Sequence, residues 1–441
     1  MISCKQCRKC VLILLDGLGD RSYAALDGRT PLQAARTPVL DRLAAQGANG
    51  LYHAAAVGQA LPSETAHFAM FGYGVDEFPG RGALEALGAG ISLESDDVAV
   101  LAHFAALAEA DNHLVLTRDR VDADPEEIAE LIEAVNEVEG REVAIRFHPT
   151  GGIYGLLTLH GEVSPYFTDT DPIAAGRAIP ELKPWRSHQK DPATRNAVRA
   201  LKDFLRSAYN RLSSHPVNRV RAEAGQPPVN GLVTQRAGQL KTVPFFRERY
   251  GLCGVSVASG IVYRGLCAYL GLDFREMADT DQPGADIAHR LRAARELLDR
   301  YDFIHVHTKT PDQAAHAKDP EAKRRVIEAL DEGIGEAVDA LADDPEVLLV
   351  VTADHSTPSA GPLVHSGEPV PLLFSGRGVR RDAVDRFDEV SSAAGAYGLL
   401  RGRELIYLIL NHLDRAKLRG LMDTPDDQDY WPGDYEPFRL R

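Results

Sequence analysis

Cysteine is scarce in this chain: five residues among 441, too few for a disulfide scaffold at that length. Long apolar runs are missing as well. No segment approaches the length that spans a bilayer, and the opening MISCKQCRKC has no apolar signal core. Basic charge is in deficit, with 49 Lys+Arg against 64 Asp+Glu for a net charge of −15. That sign argues against nucleic acid or an anionic membrane as the main partner, while leaving room for a local basic pocket. Internal repeats and low-complexity blocks are also lacking. A soluble cytoplasmic protein is the expectation.

What is present is globular in kind. Hydrophobic residues at 44% and charged residues at 26% exclude wholesale disorder and rod-like assemblies. The length favours two domains over one. Cys4, Cys7 and Cys10 form a C-x2-C-x2-C run, which is either part of a zinc or iron–sulfur site or simply a basic leader spanning 1–10.

Val11 to Leu15 is apolar on both faces and ends at Asp16-Gly-Leu-Gly-Asp20. Such a run suits the central strand of a parallel sheet covered by helices. The segments Phe303–Val306 and Val347–Val351 have the same texture, and acidic and histidine residues follow each of them. Ligands of open α/β sheets bind beyond the carboxyl ends of the strands. Amphipathic helices are expected after Asp124-Pro125 and after Asp319-Pro320. The middle of the chain mixes helix with the alternating strand Tyr154–Leu159 and a long helical stretch over 193–212. It reads as an inserted α+β domain at 96–283, with 11–95 and 284–420 forming one discontinuous α/β domain around it. An acidic tail carrying Tyr430, Trp431 and Tyr435 occupies 421–441 and is either solvated or docked through its aromatic residues.

The polar residues at the strand ends carry the chemistry. Asp16 follows the first strand; Asp312 and His316, four apart, follow the second; Asp354, His355 and then His365 follow the third. Three carboxylates and three imidazoles suit Zn²⁺ or Mn²⁺, and six ligands are enough for two ions. Paired ions clamp the attacking and leaving oxygens of a phosphoryl transfer. Ser63, between Pro62 and an expected helix, is placed either to cap that helix or to act as a nucleophile where backbone N–H groups favour a phosphate.

The motifs LLDGLGD, PSETAHFAMFGY, GRGALEALGAG, DTDP, HPVNRVR, HTKTPDQAAH, ADHSTP and HSGEPVP occur in this order from Val11 to about Arg419. With them the chain resembles the archaeal-type cofactor-independent (2,3-bisphosphoglycerate-independent) phosphoglycerate mutases of the alkaline phosphatase superfamily. The resemblance implies an alkaline-phosphatase-like, mostly parallel sheet flanked by helices, with an inserted substrate domain. It implies Asp16, Ser63, Asp354 and His355 around one metal, and Asp312, His316 and His365 around the other. Mn²⁺ or Zn²⁺ would fill them, with Mg²⁺ or Co²⁺ as further options. Ser63 would become phosphoserine during interconversion of 3-phosphoglycerate and 2-phosphoglycerate. Lys309, Arg236, Arg118, Arg120, His215 and Arg221 are the implied substrate contacts. The family's D-R-R-A-G-R stretch is replaced here by LTRDRVDAD, and Ile153-Tyr154-Gly155 lacks the family's arginine. The alternative is therefore a metal-dependent phosphatase or phosphomutase of the same superfamily for another phosphorylated or phosphonate acid.

Overall fold

The computed structural model describes residues 8–136, 143–420, 428–433 and 438–440. The chain divides into two compact units: Met1–Phe78 with Val243–Arg441, and Pro79–Thr242.

The first unit is an α/β sheet of eight strands. In spatial order these are Asp273–Glu276, Gly254–Ala258, Phe303–Thr308, Lys9–Leu15, Val347–Thr352, Val370–Ser375, Ala48–His53 and Gly398–Arg401. The three strands expected from sequence are side by side at its centre, with Lys9–Leu15 pairing parallel to both neighbours. Their apolar side chains are buried on both faces, which is why they read as continuous runs rather than alternating ones. Among the described strands of this sheet, only the pairings of Val370–Ser375 are antiparallel. Leu15 lies opposite Thr308, and Leu14 opposite Thr352. The residues that follow these strands therefore leave the sheet at one edge. Helix Pro320–Gly335 starts where expected, with the Asp319 carboxylate accepting from the N–H groups of Glu321 and Ala322.

The second unit is an antiparallel sheet in the order Ala144–Gly151, Tyr154–His160, Val98–Ala110, His113–Arg118 and Arg177–Ala178, with Gly231–Gln239 also pairing with Val98–Ala110. Its core joins Phe104, Phe147 and Leu157 from the strands to Leu131, Leu201 and Phe204 from helices Pro125–Asn136 and Pro192–Ser213. This is the α+β texture expected of the insert.

The boundaries differ from expectation. The insert spans 79–242, not 96–283, because Gly254–Ala258 pairs with Phe303–Thr308 and belongs to the large sheet. At the other edge, helix Arg81–Gly88 packs on strands Gly231–Gln239 and Val98–Ala110. The leader is also shorter than 1–10, since Lys9 already begins a strand and Cys10 is fully buried. Burial pushes the Cys10 thiol up, away from the thiolate a metal needs; Cys4 and Cys7 lie outside the described residues. In the tail, Tyr430 is buried, bridges to Ala416, and lies where a Cβ on Gly251 would stand. Tyr435 and the acidic residues 423, 426, 427, 434 and 436 lie outside the described residues. Among those described, no helix is long and apolar enough to cross a membrane.

Candidate active site

The large sheet brings the expected chemical groups together. Asp16 opens the turn that follows the first strand and is fully buried. Its Oδ2 accepts from the Tyr263 hydroxyl at 2.8 Å and faces His307 Nε2 at 2.9 Å, while its Oδ1 lies 3.5 Å from His355 Nε2. Asp354 Oδ1 accepts from the backbone N–H groups of Gly17 and His355, and Oδ2 stands 3.1 Å from His355 Nε2. Ser63 Oγ is 3.0 Å from that same nitrogen.

Ser63 does not cap its helix. Pro62 holds the N-cap position, and Ser63 is the first residue of helix Ser63–Met70 with its hydroxyl turned to His355. Of the two roles open to it in the sequence, the capping one is not realised.

A second set adjoins the first. Asp312 Oδ2 is 3.2 Å from His316 Nε2, and Asp312 Oδ1 is 3.5 Å from His365 Nε2. The helix Thr310–His316 presents Asp312 and His316 four residues apart on one face. His365 Nδ1 is 2.7 Å from the Leu61 carbonyl, which fixes that nitrogen as the N–H donor and leaves Nε2 free to ligate. The His355 and His365 rings stack with centroids 3.9 Å apart, so the two sets touch.

The donor sets fit divalent cations. Ligand atoms of Asp16, Asp354 and His355 lie within 4.8 Å of one another, as do those of Asp312, His316 and His365. Asp16 Oδ1 and Asp354 Oδ2 are buried and find no hydrogen bond among the described residues. Buried carboxylate oxygens left without donors are costly, and a cation is the partner such an arrangement lacks. Burial pushes Asp354 up, but His355 and His67 outweigh it and hold the carboxyl well below its usual range. Burial and Asp354 likewise push Asp16 up, yet His307, His355 and Lys309 hold it at about 2. Burial pulls His355 down, and the surrounding carboxylates more than reverse it, to about 9. Opposed charges of this kind are the usual mark of a functional site.

Several participants were not singled out in the sequence. His67, four residues after Ser63 on the same helix, points Nδ1 at the Ser63 carbonyl at 2.8 Å. His305 and His307, two apart on one strand, lie beside His67 with Tyr263 against it. The alternation in FIHVHT was the available signal for a shared face. Lys323 is fully buried and donates to Gly19 O, Asp20 Oδ2 and Thr357 O, tying together the loops that follow the first and third strands.

The expected substrate contacts divide. Lys309 is close enough to Asp16 to lower its pKa. Arg118, Arg120 and Arg236 are exposed in the smaller unit. Arg120 and Arg236 have φ of 49° and 55°, a left-handed conformation that non-glycine residues hold at a cost, often near functional sites. Arg221 is a correction. It is 2% exposed, and its guanidinium donates to Glu127, the Asp122 carbonyl and the Pro227 carbonyl, so it braces the insert's core. His215 caps helix Pro216–Glu223, its Nδ1 accepting from Val217 N–H.

Comparison with known proteins bears on the family and the fold. A family model described as 2,3-bisphosphoglycerate-independent phosphoglycerate mutase matches residues 44–218. One described as type I phosphodiesterase / nucleotide pyrophosphatase matches 209–367. A relative from Methanocaldococcus jannaschii, named 2,3-bisphosphoglycerate-independent phosphoglycerate mutase 2, is 38% identical over 97% of this chain and 98% of its own. Its namesake family member from Methanopyrus kandleri is 37% identical over 94% of this chain and 98% of its own. Among solved structures, a protein of Pyrococcus horikoshii superposes with a TM-score of 0.76 at 30% identity, covering 94% of this chain and 99% of that one. The cofactor-independent phosphoglycerate mutase of Thermoplasma acidophilum gives 0.64 at 29% identity, covering 92% and 100%.

Proposed function

The chain belongs to the 2,3-bisphosphoglycerate-independent phosphoglycerate mutases, and on that footing we propose that Ser63 carries the phosphoryl group between the two hydroxyl oxygens of glycerate. The observation behind this reading is the Ser63 hydroxyl, 3.0 Å from His355 Nε2 at the head of a helix and beside two carboxylates that each keep one buried oxygen without a hydrogen bond among the described residues.

The enzyme uses divalent ions, as its superfamily implies. We assign Asp16, Ser63, Asp354 and His355 to one and Asp312, His316 and His365 to the other. The mixed oxygen and nitrogen donors favour Mn²⁺ or Zn²⁺. When bound, such ions supply Lewis-acid neutralisation of phosphoryl oxygens and ease loss of the serine proton.

In the forward direction Ser63 Oγ bonds to phosphorus as the bond from phosphorus to O3 of 3-phosphoglycerate breaks. The electron pair leaves on O3, which gains the equivalent of the proton that Ser63 loses. The amino end of helix Ser63–Met70 carries the positive end of the helix dipole, which favours the incoming phosphate. Lys309 balances charge on the phosphate or carboxylate. The glycerate then turns so that its 2-hydroxyl attacks phosphoserine, and Ser63 recovers its proton. Arg118, Arg120 and Arg236 are assigned to holding glycerate meanwhile. Keeping water from phosphoserine separates a mutase from a phosphatase. The reaction is a step of glycolysis, consistent with a cytoplasmic place of work.

The test supplies 3-phosphoglycerate with Mn²⁺ and measures 2-phosphoglycerate against free phosphate. The expected product is 2-phosphoglycerate, with Ser63→Ala losing at least ~10³-fold in kcat because the covalent route is gone. Free phosphate as the main product would assign the site to hydrolysis, and normal turnover by Ser63→Ala would remove Ser63 from its role.

A further inference from the structure

We propose that Thr357 is a positioning residue that couples the two cation sites. The inference rests on the two-cation reading given above. Thr357 Oγ1 is 2.8 Å from Asp312 Oδ1 and 3.1 Å from His355 Nδ1, and the residue is fully buried. It touches one member of each ligand set.

The hydroxyl has a single proton. Asp312, facing His316 and His365, can only accept, so that proton goes to Asp312 Oδ1. The oxygen lone pair is then what meets His355, and His355 Nδ1 must be the N–H donor. In the cation-bound form, where the imidazole gives up its second proton, a definite tautomer follows: the lone pair of His355 lies on Nε2, the atom that faces Ser63 Oγ, Asp16 and Asp354. Both sites thus depend on one hydroxyl. Orienting bonds of this kind behind a ligating imidazole typically contribute 10- to 100-fold in metal affinity or activity.

The hydroxyl is fixed from several sides. Thr357 N–H donates to Gly19 O at 2.9 Å, and Thr357 O accepts from Lys323 Nζ at 2.9 Å. Gly17 has φ of +65°, and a Cβ there would stand 2.7 Å from both Thr357 Oγ1 and Asp312 Cβ. The first loop therefore needs glycine to let this hydroxyl reach both partners.

Thr357→Val keeps the shape and deletes the hydroxyl; Thr357→Ser keeps the hydroxyl. Chelated protein would be titrated with Mn²⁺ by calorimetry, and the His355 ring followed by long-range ¹H–¹⁵N correlation in Zn²⁺-loaded samples. The expected result is that Thr357→Val weakens both Mn²⁺ binding steps by roughly 10-fold or more, and that the Nδ1–H signature of His355 shifts or vanishes. Thr357→Ser should restore both to within about 3-fold, which a loss of packing alone would not do. Wild-type affinity in Thr357→Val, or a loss confined to one binding step, would overturn the proposal. These readouts do not involve phosphoglycerate. If the wild-type protein binds Mn²⁺ but fails to make 2-phosphoglycerate, the functional assignment falls while the coupling is still tested.

Discussion

Lys323 offers the sharpest test of how the site loops are held. Its ammonium is fully buried, and each of its three N–H bonds has an acceptor: Gly19 O at 3.0 Å, Asp20 Oδ2 at 3.0 Å and Thr357 O at 2.9 Å. Lys323→Met keeps the aliphatic stem and removes only the charged donor. Gly19 O would retain the Thr357 N–H, and Asp20 would retain Ser359 and Tyr23. Thr357 O would lose its side-chain donor, which costs about 1–3 kcal/mol if no other replaces it. Breaking a buried pair costs about 3–5 kcal/mol, and the remaining donors on Asp20 place this case near 3. The assay is urea denaturation of the chelated protein at pH 7, read by the shift in the transition midpoint. Lys323→Met combined with Asp20→Asn should cost less than the two changes summed, with a coupling of about 2 kcal/mol. A loss below about 1 kcal/mol, or strict additivity, would show that the pair does not hold these loops.

Other expectations are independent of it. Gly17→Ala should lower Mn²⁺ affinity and stability together, by at least ~1 kcal/mol, since its φ of +65° and the 2.7 Å approaches admit no Cβ; a calorimetric titration matching the wild type would refute this. Burial raises the Glu389 carboxyl to about 7 from an ordinary value of 4.5, despite bonds from Thr30 and the Asp20 N–H and the charge of Lys323. The folded protein then holds more protons than the unfolded chain between those values, so this contribution to stability is complete below 4.5 and lost as pH rises through 7. Glu389→Gln should flatten the pH dependence of urea midpoints in that window, and an unchanged slope would refute the assignment. Chelation should lower the thermal midpoint, and Mn²⁺ at 100 times its Kd should restore about 2.7 kcal/mol per site; scanning calorimetry that shows no shift would contradict the cation sites.

Much of the site was legible because parallel-sheet burial leaves a plain trace. Val11–Leu15, Phe303–Val306 and Val347–Val351 are apolar on both faces, and a chain that buries three such runs places their ends at one edge. Asp16, Asp312, His316, Asp354, His355 and His365 follow from that. The strand Gly254–Ala258 leaves little trace because GVSVA is short and contains two small residues and a serine, so sequence alone extends the insert to 283. Thr357 and Lys323 were invisible for another reason. A threonine after ADHS and a lysine in a charged helix look like surface residues until tertiary contacts bury them. Arg221 failed in the opposite direction, because an arginine in a motif gives no sign of whether its guanidinium faces a ligand or its own fold.

The central strand of the large sheet takes its two partners from far along the chain, Lys9–Leu15 meeting Phe303–Thr308 and Val347–Thr352. During synthesis this apolar ribbon must wait with both edges open while the whole of 79–242 emerges. The insert, whose strands pair over shorter separations, can close on itself in the interval. Ribosome-bound intermediates should thus hold a folded insert on an unfinished platform, with nascent chains short of Val347 vulnerable to aggregation and, lacking Asp354, His355 and His365, unable to retain cations.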